Sequence, residues 1–248
     1  MLWSQGAIDG YMRGKGNSDL ALTYSYESYN RYFFGEEEQQ IENSLQSLSL
    51  YFTHGFQDSL DLVVSIPFVR TDSLNSSLQD AILAVKFRNR RINYADGSAL
   101  SVITSAGVSF PLAAYPIDTE RPIGVRAVTF MGRLMAQYEF KNGVFLNLQT
   151  GYDFRIAPAP LSSIPVILRM GYAGSIYFDV WLDYYQTFNA RADTQITGGE
   201  GSTWLRTGGT IYYPISPKFG AFVGIAHFLA GRNIGLATRG NVGVVFKL

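Results

Sequence analysis

The residues able to do chemistry are few and scattered. Cysteine is absent, which removes disulfides, thiol catalysis and zinc–cysteine sites. Only two histidines occur, His54 and His227. A serine hydrolase would need one of them within hydrogen-bond reach of a serine, and a histidine satisfied in a strand wall is the weightier reading. Asp179 and Asp183 suggest paired carboxylates. Four residues of extended chain set them roughly 13 Å apart, too far for joint acid–base work. Gly14-Lys15-Gly16 lacks the spacing and the hydroxyl of a phosphate loop. Glu36-Glu37-Glu38 could recruit divalent ions at a lipopolysaccharide surface, but such a run is more often a solvated loop tip. No catalytic residue, metal site or cofactor is expected.

The other charges matter through their phase. Glu27, Arg31, Asp61, Asp80, Lys86, Arg133, Glu139, Asp153, Arg155, Arg169, Asp179, Asp183, Arg206 and Arg239 each stand on the polar side of an alternating stretch, with Trp181 in the same phase. Residues 129–155 show it best. Phe130, Leu134, Ala136, Tyr138 and Phe140 alternate with Arg133, Gln137 and Glu139. After Asn142-Gly143 the phase resumes, with Leu146, Leu148, Tyr152 and Phe154 against Asn147, Gln149, Asp153 and Arg155. Period-two alternation marks a strand with two unlike faces, and two such runs around Asn-Gly mark a hairpin.

Each run exceeds the usual five or six residues of a globular strand and suits the nine to eleven tilted residues that cross a bilayer. An apolar face ending in aromatics opposite a charged face fits lipid outside and a wet lumen inside. An Arg or Lys facing mid-bilayer lipid costs about 2–4 kcal/mol, so a membrane enforces this segregation.

Composition agrees. Charged residues are 16% of 248 and aromatics 15%, against roughly 25% charged in soluble domains. Lys+Arg and Asp+Glu are both 20, which argues against a nucleic-acid footprint. No apolar run is long enough for a transmembrane helix, so a membrane-spanning chain must be a closed barrel. No signal peptide is visible, and an exported protein would be represented here by its mature form.

The expected architecture is all-β, a transmembrane antiparallel up-and-down barrel of about twelve strands over residues 19–248. Residues 1–18 form an irregular N-terminal segment expected in the lumen, because Trp3, Ile8, Tyr11 and Met12 want cover from water. Short turns near Phe56, Asn142, Gly174 and Ser216 alternate with long loops near Glu37, Leu74, Tyr115, Pro160, Gly198 and Asn233, the outer-membrane pattern. The Arg88–Gly97 connection breaks the rule unless its strands project. In 219–230 both parities are apolar. Placing His227 inward would turn Phe222, Gly224, Ala226 and Phe228 outward.

Two pairings follow. A two-residue Asn-Gly loop would set lipid-facing residues opposite lumen-facing ones. The loop is therefore predicted to be Lys141-Asn142-Gly143, with Gly143 left-handed, Tyr138 opposite Leu146 and Gln137 opposite Asn147. A barrel leaves no edge, so the strand beginning near Asp19 must pair with the one ending at Leu248.

Six short stretches carry a family resemblance. They are Arg13-Gly14-Lys15-Gly16, Tyr32-Phe33-Phe34-Gly35, Tyr51 with Gly55-Phe56-Gln57-Asp58, Pro67-Phe68-Val69, Gln79-Asp80-Ala81-Ile82-Leu83 and Gly231-Arg232-Asn233-Ile234-Gly235. Together they resemble the bacterial outer-membrane proteins of the meta-pathway of phenol degradation, themselves loosely similar to long-chain fatty-acid transporters. The resemblance spans most of the chain and rests on turn and rim features. It implies a barrel that admits hydrophobic or aromatic compounds, and it carries over no catalytic residue. The C-terminus departs from the pattern: such barrels usually end in an aromatic, whereas Leu248 is last here and Phe246 precedes it by two.

The expected function is passive uptake of small, hydrophobic or aromatic molecules through the outer membrane of a Gram-negative bacterium, with both termini periplasmic. About twelve strands fall between the filled eight-stranded barrel and the sixteen-stranded pore, so the lining decides passage. Mixed charges give little ion selectivity, and Tyr29, Tyr51, Trp181, Tyr185 and Trp204 offer an aromatic surface. The partners are lipid, lipopolysaccharide and the solute, not nucleic acid. The alternative is a non-conducting barrel acting as scaffold or accessory subunit among protein partners of an outer-membrane complex. A lipid-modifying barrel enzyme is weaker still.

Overall fold

The computed structural model describes residues 8–71, 75–117, 122–193 and 200–248. Among them fourteen strands follow in chain order: β1 (Ser18–Phe34), β2 (Glu37–Gln57), β3 (Leu60–Thr71), β4 (Ser76–Leu78), β5 (Asp80–Asn93), β6 (Ala99–Pro111), β7 (Val128–Glu139), β8 (Val144–Ala157), β9 (Leu161–Ala173), β10 (Tyr177–Phe188), β11 (Thr203–Ser216), β12 (Phe219–Arg232), β13 (Ile234–Gly235) and β14 (Thr238–Lys247). Twelve make the wall, while the short β4 pairs only with β3 and the short β13 with β1. Every neighbour is antiparallel and next in sequence, and β1 closes the ring on β14 from Asp19↔Lys247 to Ser28↔Thr238. The fold is a closed twelve-stranded all-β barrel.

Its outer face is apolar. Leu22, Leu50, Val85, Leu134, Leu148, Met170, Val180, Ile211, Val223 and Val242 are exposed there, while Thr23, Ser49, Lys86, Gln137, Asn147, Arg169 and Asp183 are buried within. A soluble protein inverts that order.

The hairpin between β7 and β8 has the expected register: Tyr138↔Leu146 and Gln137↔Asn147. The Phe140 N–H donates to the Val144 carbonyl at 2.8 Å and the Gly143 N–H to the Phe140 carbonyl at 3.0 Å, leaving Lys141-Asn142-Gly143 as the loop. Gly143 sits at φ +87°, a conformation that costs other residues roughly 1–2 kcal/mol.

Several expectations need correction. Arg31 does not line the lumen. A bulge in the β1–β2 ladder between Tyr29 and Arg31 reverses the phase of β1, so Tyr32 points inward and Arg31 is exposed at the rim. In β12, Val223 and Ile225 are more than half exposed, whereas Phe222 and Ala226 are buried. His227 therefore faces outward, its Nδ1 2.8 Å from Thr238 Oγ1. The larger aliphatics took the lipid face, and the small residues with Phe222 took the lumen.

The connections at Glu37 and Pro160 are not long loops. β2 already begins at Glu37, and β8 and β9 are separated by three residues. The Arg88–Gly97 stretch resolves into strands that run on to Asn93 and restart at Ala99. Trp3, Leu74 and Gly198 lie outside the described residues.

Residues 8–17 enter at the short-turn end. The Gly16 N–H donates to the Gly55 carbonyl at 2.7 Å, and the Gly55 N–H to the Asn17 carbonyl at 3.0 Å. A Cβ on Gly55 would stand 2.0 Å from the Gly14 carbonyl oxygen, so only glycine lets the segment pass. Ile8, Tyr11 and Met12 then pack with Tyr51, Val63, Ile103, Met135 and Phe145. This apolar cluster packs the short-turn half of the interior beside a cavity of about 320 Å³ lined by Tyr11, Arg13, Asp19 and Tyr212.

Gly143→Ala should lower stability by about 1–2 kcal/mol, because the new Cβ also meets the Tyr172 ring at 3.0 Å. Gly240→Ala, whose Cβ meets nothing within 4 Å, should change it little. Urea unfolding midpoints in detergent micelles check both.

Candidate functional site

The interior divides into two halves of different chemistry. In the short-turn half Lys86 is fully buried, with its ammonium 2.7 Å from Asp9 Oδ1, 2.6 Å from the Tyr11 carbonyl and 3.5 Å from Asp61 Oδ2. Arg13 bridges Asp9 Oδ2 at 2.9 Å and Asp19 Oδ2 at 2.7 Å, and its backbone N–H donates to Asp61 Oδ2 at 3.0 Å. Buried charges persist only when paired and hydrogen-bonded. Here wall strands β3 and β5 supply one side of the network and residues 9–13 the other. Beside it, Arg169 Nε lies 3.8 Å from Asp179 Oδ2, which accepts the Tyr177 hydroxyl at 2.6 Å.

The long-loop half holds ion pairs facing open space. Arg133 forks onto both oxygens of Asp153, with Nη2 3.0 Å from Oδ2. Arg206 Nε and Nη2 donate to Asp183 Oδ2 at 2.9 and 2.8 Å. The Arg206 guanidinium lies 4.6 Å from the Trp204 ring centre and 5.5 Å from that of Trp181. Gly208 admits Trp181, since a Cβ there would meet the indole at 2.4 Å. Tyr185 stacks on Trp204 at 5.3 Å and 9°. Arg239 pairs with Glu27 at 2.6 Å.

The remaining candidates belong to the rims. Asp80 accepts the Tyr115 hydroxyl at 2.6 Å and the Ala127 N–H at 3.1 Å, tethering the loop between β6 and β7. Burial, followed by that hydrogen bond and the Asp80 charge, pushes the Tyr115 phenol up. Arg155 donates through Nε to the Ala159 carbonyl at 2.9 Å. At the opposite rim Glu139 pairs with Arg91 at 3.0 Å. Arg31 pairs with Glu38 at 3.6 Å outside the lumen.

Thus Asp61 and Lys86 come together, as do Arg133 with Asp153, Asp183 with Arg206 and Glu27 with Arg239. Asp179, beside Arg169, and Asp183 join separate networks, Asp80 and Arg155 line one cavity with Asp153, and Glu139 stands apart at the opposite rim. Sequence reasoning missed Asp9 and Arg13, which lie where no alternation gives a phase. It also missed Asn233. That residue is buried at φ +53°, and its Oδ1 accepts the Gly35 N–H at 2.6 Å and the Asp193 N–H at 2.9 Å, while Nδ2 donates to the Gly201 carbonyl at 2.7 Å. An asparagine between Gly231 and Gly235, the residue type that most readily replaces glycine at positive φ, was the available signal.

Ser18 Oγ lies 2.8 Å from His54 Nδ1, the distance a hydroxyl and its base require. The imidazole packs between Phe52 and Phe56, with no carboxylate contact among the described residues to orient it.

The barrel fold is shared by solved outer-membrane proteins. The chain is similar to an outer membrane channel from Pseudomonas putida F1 at a TM-score of 0.72 and 15% identity, over 98% of this chain and 100% of that one. It is also similar to the NanC porin, at 0.60 and 11% over 92% and 100%, and to the KdgM porin, at 0.57 and 9% over 91% and 98%. At such identities the likeness is one of fold: an outer-membrane-type β-barrel. No protein-family model and no curated protein sequence matches the chain.

Lys86→Met should destabilise the barrel by about 3–5 kcal/mol, because it strands buried carboxylates. Arg239→Gln, at an ion pair whose arginine is about a third exposed, should cost less than about 1 kcal/mol. Refolding titrations in micelles check the contrast.

Proposed function

We propose that this barrel lies in the outer membrane of a Gram-negative bacterium, both termini periplasmic, and passes small solutes passively, hydrophobic or aromatic ones among them. One observation carries the reading. A cavity of about 190 Å³ in the long-loop half is lined by Ile82, Met131, Ile167, Tyr185, Trp204 and Arg206. A second, of about 210 Å³, adjoins it at Tyr185 and reaches Thr129, Leu161 and Ser202 towards the loops. Arg133 and Arg206, which line the first cavity, already hold carboxylates, so a solute entering it meets aliphatic and aromatic surface with little uncompensated charge. Aromatic contacts contribute about 0.5–1.5 kcal/mol beyond their burial, enough to favour a flat ring over water without trapping it.

The turns support periplasmic termini: Ser18 and Leu248 share the end of the short connections, which in such barrels is periplasmic. Lipid meets the apolar wall, and lipopolysaccharide the long-loop rim. The KdgM porin has been solved in complex with disordered oligogalacturonate, so a barrel of this fold can hold a solute. The reading is non-enzymatic and takes no cofactor.

The packed short-turn half favours a second reading, a non-conducting barrel acting as scaffold or accessory subunit. Swelling of proteoliposomes in phenylalanine, a ring that crosses lipid poorly unaided, separates the two. The channel reading expects swelling, slowed about 2- to 10-fold by Trp204→Ala, the worth of one aromatic contact of about 0.5–1.5 kcal/mol. Absence of swelling together with silent planar bilayers would establish the scaffold.

A further inference from the structure

Polar side chains on a lipid-facing wall need a reason, and on one side of this barrel they form a row. The ladders set Thr207 beside His227, His227 beside Thr238, Thr238 beside Ser28 and Ser28 beside Ser44. None of the five is buried. Each stands four residues from an exposed apolar side chain of the same outer face: Ile211, Val223, Val242, Tyr24 and Leu48. Between the two rows lie Ile225, Gly240, Tyr26 and Gln46. The wall thus turns from aliphatic to polar within four residues. His227 is eight residues beyond Phe219, where β12 leaves the short-turn end. At about 2.5 Å of height per residue of tilted strand, the row stands roughly 20 Å above that rim, near the top of an apolar band about 25 Å tall.

The wall is also hollowed there. A cavity of about 510 Å³ opens on this face, lined by Tyr26, Ser28, Asn30, Glu42, His227 and Thr238 among others. The bulge in β1 shapes it by leaving both Asn30 and Arg31 exposed. Below it, a Cβ on Gly240 would meet nothing within 4 Å, so an open slot runs down the wall between Ile225 and Tyr26. His227 Nδ1 is engaged with Thr238 Oγ1 at 2.8 Å, which leaves Nε2 for a ligand. Arg31 and Glu38 are 3.6 Å apart and both more than a third exposed, a pair that holds neither side chain firmly.

Hydrocarbon offers these groups no hydrogen-bond partner. A bare anionic headgroup fits poorly, because one arginine, Arg31, is set against two carboxylates, Glu38 and Glu42. A sugar ring fits both features. Its hydroxyls donate to Glu42 and accept from Asn30 and the serine and threonine hydroxyls, while its C–H face covers the Tyr26 ring.

We propose that this groove on the outer wall of β12, β14, β1 and β2 docks the saccharide headgroup of an outer-leaflet glycolipid, with an acyl chain in the slot over Gly240. The inference rests on the outer-membrane placement with the long loops outward, and it holds whether or not the lumen conducts.

Anisotropy of fluorescently labelled rough lipopolysaccharide, titrated with the protein in detergent micelles, tests this. Wild type should bind saturably. Unlabelled phosphatidylglycerol, a charged lipid without a sugar ring, should compete at least about fivefold less well than unlabelled lipopolysaccharide. His227→Leu/Thr238→Val extends the aliphatic face set by Ile225 and Val242. It should weaken binding about fivefold, the equivalent of one hydrogen bond of about 1 kcal/mol. Gly240→Leu should weaken it as well by filling the slot. Heat-modifiable electrophoretic mobility reports folding, and Tyr26→Leu carries the same expectation if either variant does not fold. Unchanged affinity in the folded variants overturns the proposal, as does equal competition by phosphatidylglycerol, which would mean adherence to any charged lipid. Placement is read separately. The chain has no cysteine, so an impermeant maleimide should label Glu36→Cys in intact cells and Asn142→Cys only after permeabilisation. The reverse pattern overturns the placement and the docking together, whereas the expected labelling with unchanged affinities overturns the docking alone.

Discussion

The pairing of β1 with β14 is the constraint on which the rest of the molecule depends. Lipid offers no partner to a strand edge, and each unpaired backbone group in it costs several kcal/mol. The ring must therefore close, and the ten pairs from Asp19↔Lys247 to Ser28↔Thr238 close it. Once the strand number is twelve, the interior falls between that of an eight-stranded barrel, which side chains fill, and that of a sixteen-stranded aqueous channel. The phase of each strand follows as well. A residue that cannot face lipid must face the lumen, and whatever charge it carries must be balanced there.

That balance is achieved differently in the two halves. In the short-turn half the wall acids and bases reach across to residues 9–13, so Lys86 and Asp61 hold a segment of chain. In the long-loop half the ion pairs form between neighbouring strands, as Arg133 does with Asp153 and Arg206 with Asp183. Side chains paired within the wall leave the space in front of them free. The same residue types therefore build a plug at one end and a cavity at the other, according to whether their counter-charge comes from the wall or from the N-terminal segment.

Much of the wall was legible from sequence, because lipid on one side and ions on the other leave a period-two signature in nearly every strand. The β7–β8 register could be derived outright, since parity on both sides of Asn142-Gly143 admits only an odd loop. Where reading failed, the period had been broken or had lost contrast. The bulge at Tyr29–Arg31 shifts the phase by one residue with no glycine or proline to announce it, so Arg31 was placed inside. In β12 both faces are apolar, and the choice was settled by neighbours on β11 and β14. Asp9 and Arg13 have no phase at all, and their partners, 48 to 77 residues away, are set by tertiary packing.

The charged residues, the most visible candidates in the sequence, mark the lumen without being the whole of what decides passage. Bidentate pairs such as Arg133–Asp153 are held by geometry on both sides, and a solute that broke one would leave a partly buried ion behind. On the proposed channel reading, a passing solute meets what the pairs leave uncovered: the Tyr185 and Trp204 faces, Ile82 and Ile167, and the hydroxyls of β1 and β2. These are neutral surfaces, and neutral surfaces discriminate by shape and hydrogen bonding rather than by sign. If the proposed channel reading holds, a chain with equal numbers of acids and bases selects in this way by shape and hydrogen bonding rather than by the sign of an ion.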